Sequence, residues 1–210
     1  MMKTIYLSAA MTLFGAILLS SCASTQVTAA WRDDAYTQTP QKALVLLVTG
    51  KPTLLRVFED EFSRQLKTRG IEAVPGYSLL PLDRKLDKEE IAAAAEKIHA
   101  DTVLITRLVD KKSYETYYPG SVYATHPGAY NPGWNDYYSR GFDYYQATPG
   151  YTVQRDILYV ETQLYDVSNQ HLIWSVMTET LVGDPMETEV RSFVKIIMKN
   201  LSQNRLVEKQ

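Results

Sequence analysis

Val48-Thr49-Gly50-Lys51-Pro52-Thr53 is the stretch of this 210-residue chain whose residue types come nearest to phosphate chemistry. A glycine–lysine pair after an apolar run holds phosphate when a glycine five residues earlier lets backbone N–H groups wrap the anion. A Ser or Thr must follow the lysine. Here Val45 stands where the first glycine is needed and Pro52 fills the hydroxyl position, so nucleotide hydrolysis is excluded. A weaker anion site remains, with Lys51 and the start of the following helix acting through charge and dipole. The three histidines, His99, His126 and His171, are not spaced as metal ligands, and neither H-E-x-x-H nor G-x-S-x-G occurs. Glu59-Asp60-Glu61 and Glu89-Glu90 read as helix starts and solvated faces. Carboxylate pairs for hydrolysis meet in space and not in sequence. The expectation is a non-catalytic protein with no metal and no cofactor.

Cys22 is the only cysteine. It follows a basic start (Lys3) and an apolar run, Ile5 to Leu19, too short to span a bilayer comfortably. The run ends in Leu19-Ser20-Ser21-Cys22, which resembles the bacterial lipobox. That resemblance implies cleavage before Cys22 and acylation of its thiol and new amino terminus. Each buried acyl methylene contributes about 0.8 kcal/mol, and more than one chain makes attachment stable without a span. Ala23 stands where an aspartate usually signals inner-membrane retention, so the resemblance favours the outer membrane and a periplasm-facing protein. With the one thiol consumed, no intramolecular disulfide can form. Residues 1–21 are thus expected as a lipoprotein signal peptide. Residues 22–41, polar and without apolar periodicity, are expected as a lipidated flexible tether.

Tyrosine is the other unusual resource. Ten of the fifteen tyrosines fall between Tyr114 and Tyr151, in a tract rich in glycine and proline. Few have aliphatic neighbours, so they cannot build an ordinary core. Tyrosine joins a broad apolar face to a polar tip and loses little side-chain entropy on contact, which suits it to partner surfaces. Its ring also stacks on sugars. A long loop in a compact domain is more often functional than idle. This favours an interaction surface over an ordered flap or a loop without a partner.

These residues must be positioned by elements that the periodicity predicts. Lys42–Thr49 is a continuous apolar strand, buried on both faces. Pro52 opens a helix whose Leu54, Leu55, Phe58, Phe62 and Leu66 share one stripe, with Gly70 as its stop. Ile71–Val74 is a second strand. Asp87 caps a second helix with Glu90 at capping-box spacing, and Ile91, Ala94, Ala95 and Ile98 form its buried face. Thr102–Val109 is a third strand. After the tract, Thr152–Tyr165 and Leu172–Thr180 form a hairpin around Asp166–Gln170. Asp184 and Pro185 open a last helix with Val190, Phe193, Val194, Ile197, Met198 and Leu201 on its apolar stripe. The expected fold is one α/β domain over residues 42–205, with a mixed sheet in the order β-α-β-α-β-[Tyr-rich loop]-β-β-α. Residues 114–151 form its Tyr/Gly/Pro-rich insertion.

The segments GIEAVPGYSLLP, IAAAAEKIHADTVLITRLVD, the Tyr/Gly/Pro tract and LYDVSNQHLIWSVMTET together resemble a group of small, largely uncharacterised bacterial outer-membrane lipoproteins of proteobacterial type. The likeness runs from about Lys42 onward. It implies fold and location more than activity.

If the first and third strands are parallel, Gly50-Lys51 and the tract leave the same sheet edge, where open α/β sheets bind ligands. The expected binding surface combines Thr49, Gly50 and Lys51 with Tyr117, Tyr118, Tyr123, Trp134, Tyr137 and Tyr138. The expected partners are the membrane, through the lipid, and an envelope protein or peptidoglycan. A net charge of −2 and the lack of any basic run exclude nucleic acid.

Overall fold

The computed structural model describes residues 25–81, 84–123, 134, 146–183 and 185–208. Its strands are β1 (Thr25–Arg32), β2 (Lys42–Val48), β3 (Glu72–Pro75), β4 (Thr102–Tyr118), β5 (Val122–Tyr123), β6 (Gln146–Ala147), β7 (Tyr151–Asp166) and β8 (Leu172–Val182). Its helices are α1 (Pro52–Lys67), α2 (Lys88–Lys97) and α3 (Met186–Gln203), with a 3-10 turn at Gly76–Ser78. Six strands form one mixed sheet in the order β1-β8-β7-β4-β2-β3, as the α/β reading expects. Pairing is parallel for β2 with β3 and β4, and antiparallel elsewhere.

Strand β2 explains the layering. Its alternate residues face opposite ways, so an unbroken apolar run needs cover on both sides. Ala43 and Val45 join one cluster, with Phe58, Phe62 and Leu66 of α1 and Phe193, Ile197 and Met198 of α3. Leu44 and Leu46 join the other, with Ala94, Ala95 and Ile91 of α2. Helix α2 begins at a full capping box: Asp87 Oδ1 accepts from Glu90 N at 2.8 Å, and Glu90 Oε2 accepts from Asp87 N at 3.1 Å. Gly70, at φ +81, ends the turn after α1, a conformation that favours glycine.

The α1/α3 face also buries a band of threonines whose hydroxyls are paired within the sheet. Thr106 and Thr162 meet at 3.0 Å, Thr25 and Thr180 at 3.0 Å, and Thr178 Oγ1 donates to Val160 O at 3.1 Å. Trp174, fully buried, donates from Nε1 to Asn200 Oδ1 of α3 at 3.0 Å. On the opposite face, beyond α2, lies a polar row. Arg107 pairs with Glu161 at 2.6 Å, Gln163 donates to Glu161, and Tyr165 donates to Gln163.

Four expectations need correction. Residues 25–32, assigned to a flexible tether, form edge strand β1, because their small and polar side chains still offer a complete backbone ladder to β8. The third strand does not stop at Val109 but runs to Tyr118, so the first five residues of the 114–151 insertion belong to the sheet's longest strand. The domain extends past 205, since Leu206 and Val207 are buried in the main core. Glu59 is not on a solvated face: it is 1% exposed. Residues 1–24, including Cys22 and the signal segment, and Asp184 lie outside the described residues.

Phe62 is fully buried and packs on Phe58 with ring centroids 5.4 Å apart. Phe62→Ala should therefore cost about 3–5 kcal/mol, read as a lowered urea midpoint by circular dichroism.

Candidate functional site

Strand β4 outruns its neighbour on one side. Its ladder with β2 ends at Val48↔Arg107, while its ladder with β7 continues to Tyr118↔Tyr151. Strand β8 follows β7 only to Asp156↔Val182. The outer parts of β4 and β7 therefore leave the sheet as a two-stranded ribbon. A bulge between Leu108 and Asp110 marks the departure, as bulges commonly do where a strand is re-aimed.

The pairing register sorts the ribbon's side chains. Directly opposed residues in an antiparallel ladder share a face. One face carries Lys112, Tyr114, Thr116 and Tyr118 from β4, and Tyr151, Val153 and Arg155 from β7. Tyr118 and Tyr151 stack with centroids 5.2 Å apart, and Lys112 Nζ lies 5.0 Å from the centre of the Tyr159 ring. The other face carries Lys111, Ser113, Glu115 and Tyr117, opposite Asp156, Gln154 and Thr152. There Lys111 and Ser113 both bind Asp156, at 2.8 and 2.6 Å. Glu115 and Asp156 thus lie on one face, and the other, past Asp110 at its root, is aromatic and basic. Tyr117 and Tyr151 are more than 60% exposed, and Tyr114 about half exposed.

The tip is closed by glycines. A Cβ on Gly120 would collide with the carbonyl oxygen of Thr148, and one on Gly150 would press on the Tyr117 ring and the Tyr118 carbonyl. Thr148 N and Oγ1 both donate to Ser121 O at 3.0 Å. Beyond the tip, β5 and β6 pair as Val122↔Ala147 and Tyr123↔Gln146.

The expected binding residues are only partly brought together. Thr49, Gly50 and Lys51 lie at the same sheet end as the root of the ribbon, where Lys51 N donates to Thr49 Oγ1 at 3.3 Å. Tyr117 and Tyr118 sit at the ribbon tip, ten and eleven residues past the last β2–β4 pair at Arg107, about 33–36 Å at the usual rise of a strand. Tyr123 is placed by its backbone pairing alone. Trp134 is 83% exposed. Tyr137 and Tyr138 lie outside the described residues.

Other chemistry is sparse. Among the described residues, no group of three or more His, Cys, Asp or Glu side chains gathers as metal ligands. A groove between α1 and α3 is lined by Val57, Asp60, Glu61, Arg64, Glu187 and Arg191, among others. Its Glu61 is gripped by Arg64 and Gln65, and Asp60 accepts from the Tyr77 hydroxyl at 2.6 Å. No helix among the described residues is long and apolar enough to cross a membrane.

Glu59 is the group that sequence reasoning missed. Its Oε1 accepts from Leu47 N at 2.9 Å and its Oε2 from Tyr77 N at 2.8 Å, tying the end of β2 to the 3-10 turn through α1. Burial pushes its pKa up to about 7, against the pull of the backbone N–H groups of Leu47, Tyr77 and Gly76. The one available signal was a carboxylate one turn from Phe62, on the edge of the apolar stripe.

No protein-family model matches the chain, and no curated protein does. Solved structures of similar shape include PelC, a dodecamer from Paraburkholderia phytofirmans. It has 16% identity and a TM-score of 0.45, covering 89% of this chain and 99% of that one. Lipoprotein GNA1162 from Neisseria meningitidis has 11% identity and a TM-score of 0.40, covering 78% and 99%. A PDZ domain protein from Parabacteroides distasonis has 10% identity and a TM-score of 0.36, covering 84% and 34%. Likenesses at these scores carry no argument about function.

Two expectations follow. Because the folded-state pKa of Glu59 lies above its ordinary value, the folded protein holds this proton more tightly. The resulting stability is complete below about pH 4.5 and is lost as pH rises through about 7. The stability difference between wild type and Glu59→Gln, from urea unfolding at pH 4.5 and 8, should shrink by on the order of 3 kcal/mol as pH rises; a constant difference would contradict this. Gly120→Ala should open the ribbon tip and leave the body intact. Amide exchange at Tyr117 and Tyr118 should then rise by about tenfold or more at an unchanged urea midpoint.

Proposed function

We propose that this chain is a non-catalytic cell-envelope protein, held to a bilayer by lipid on Cys22, whose ribbon is its contact surface. The observation that carries this reading is the ribbon itself: a two-stranded projection with exposed tyrosines concentrated toward its tip. An isolated two-stranded ribbon is marginal in water, and exposed aromatic side chains concentrate where proteins meet partners. The lipobox-like Leu19-Ser20-Ser21-Cys22 supports the anchor, and Ala23 supports the outer membrane, facing the periplasm. Accessory roles in envelope organisation fit this arrangement better than turnover of a substrate. The carboxylates of the one groove described above are largely matched by partners.

A glycan-binding reading draws on the same tyrosines, since the exposed faces of Tyr117 and Tyr151 are open to sugar rings. Retention of the purified protein on protein-free peptidoglycan sacculi, lost on Tyr117→Ser with Tyr151→Ser, would establish that reading in place of a protein or lipid contact.

Cys22→Ser, expressed in a diderm bacterium, should move the protein from the membrane fraction to the soluble periplasmic fraction. It should also abolish incorporation of radiolabelled palmitate. A variant that stays with membranes as before would overturn the anchor.

A further inference from the structure

The chain enters the fold at the end of the sheet from which the ribbon projects. Thr25, the first described residue, pairs with Thr180; Thr180 pairs with Leu158, and Leu158 with Lys111. These four residues form one row across β1, β8, β7 and β4. Strand β1 runs antiparallel to β8, so its start lies at the end where β4 continues outward. The ribbon reaches seven residues beyond that row, from Lys111 to Tyr118, or about 23 Å at a strand's usual rise. Between Cys22 and Thr25 the chain advances three residues, at most about 11 Å when fully extended.

These two lengths constrain the geometry. An acylated Cys22 holds the Thr25 end of the sheet within about 11 Å of the bilayer surface. The ribbon is twice as long as that gap and points out of the same end. It cannot point straight away from the membrane, because the body of the domain would then occupy the space that the tether spans. With the strands steep to the surface, the ribbon is long enough to reach the head groups.

Its chemistry suits that place. From Lys112 outward, the face bearing Tyr114, Tyr118, Tyr151 and Val153 carries Lys112 and Arg155 as its charged groups, with Asp110 at its root, while Glu115 and Asp156 lie opposite. Tyrosine prefers the boundary between head groups and acyl chains, and lysine or arginine beside it meets anionic phosphates. We infer that the aromatic and basic face of the β4–β7 ribbon docks on the head-group region of the bilayer that holds the lipid anchor, fixing the orientation of the domain on the membrane. The inference rests on the proposed anchor and names the partner of its contact surface as a phospholipid surface.

The test uses the full lipidated chain, in which the Cys22 thiol is blocked, so that one introduced cysteine takes a fluorophore. Thr116→Cys places the label on the docking face. Ser168→Cys, in the β7–β8 turn at the far end of the sheet, is the control. Each is reconstituted in vesicles of phosphatidylethanolamine and phosphatidylglycerol and labelled with an environment-sensitive dye. The expected result is a blue shift at position 116, with quenching by lipids that carry a nitroxide near the head group, and neither effect at position 168. Vesicle flotation is read in parallel. A protein that floats with both labels equally exposed to water overturns the docking and leaves the anchor standing. A protein that does not float overturns the anchor, and the docking with it. A blue shift at position 116 that arises only when solubilised envelope proteins are added assigns the face to a protein partner and overturns the lipid assignment.

Discussion

The backbone ladder between β4 and β7, from Thr102↔Asp166 to Tyr118↔Tyr151, carries two environments on one pair of strands. Its inner rungs are buried: Thr102, Val103, Leu104 and Thr106 lie under helices, and Leu164 and Thr162 oppose them. Its outer rungs stand in water. A hairpin in water has little to hold its register, and a slip of one residue would exchange its faces. The buried rungs prevent the slip, because Leu104 and Leu164 would have to leave the core to permit it. The sorting of Tyr114, Tyr118, Lys112 and Arg155 onto one outer face is therefore set about 25–45 Å away, by apolar burial inside the domain.

The same core sets the direction of the ribbon. Strand β2 is covered on both faces and pairs in parallel with β3 and β4, so its turn into α1 falls at the ribbon end. Glu59 secures that end. A buried carboxylate is costly, and this one offsets the cost by accepting from backbone N–H groups of two elements at once. Its pKa, pushed up to about 7 by burial, makes the join between β2 and the Gly76–Ser78 turn responsive to pH near neutrality.

Much of the body was legible in the residues. The stripes of α1 and α3 and the buried face of α2 stood out because a helix that packs on one side must repeat its apolar residues near 3.6. The capping box at Asp87 and Glu90 is likewise a local arrangement. Strand β1 was not legible. Thr25, Gln26, Thr28 and Ala29 carry no alternation that separates an edge strand from a tether, and their place is decided by the free edge of β8. The ribbon was half legible. Tyr114, Thr116, Tyr117 and Tyr118, with Tyr151, Thr152 and Val153, are strong strand formers. Their membership of a tyrosine-rich tract drew attention to composition and away from the period of two.

Sequence alone determined the helices, the hairpin of β7 and β8, the alternation of the fold and the presence of a lone cysteine in a lipobox-like setting. Each of these is written in neighbours along the chain, through periodicity, capping or a short motif. Tertiary structure decided which residues share a surface. It drew Tyr118 against Tyr151, carried Lys51 away from both, buried Glu59 and set Thr25 at the ribbon's end of the sheet. Those outcomes depend on strand order and register, which arise from packing between segments far apart in the chain and leave no local trace in either partner.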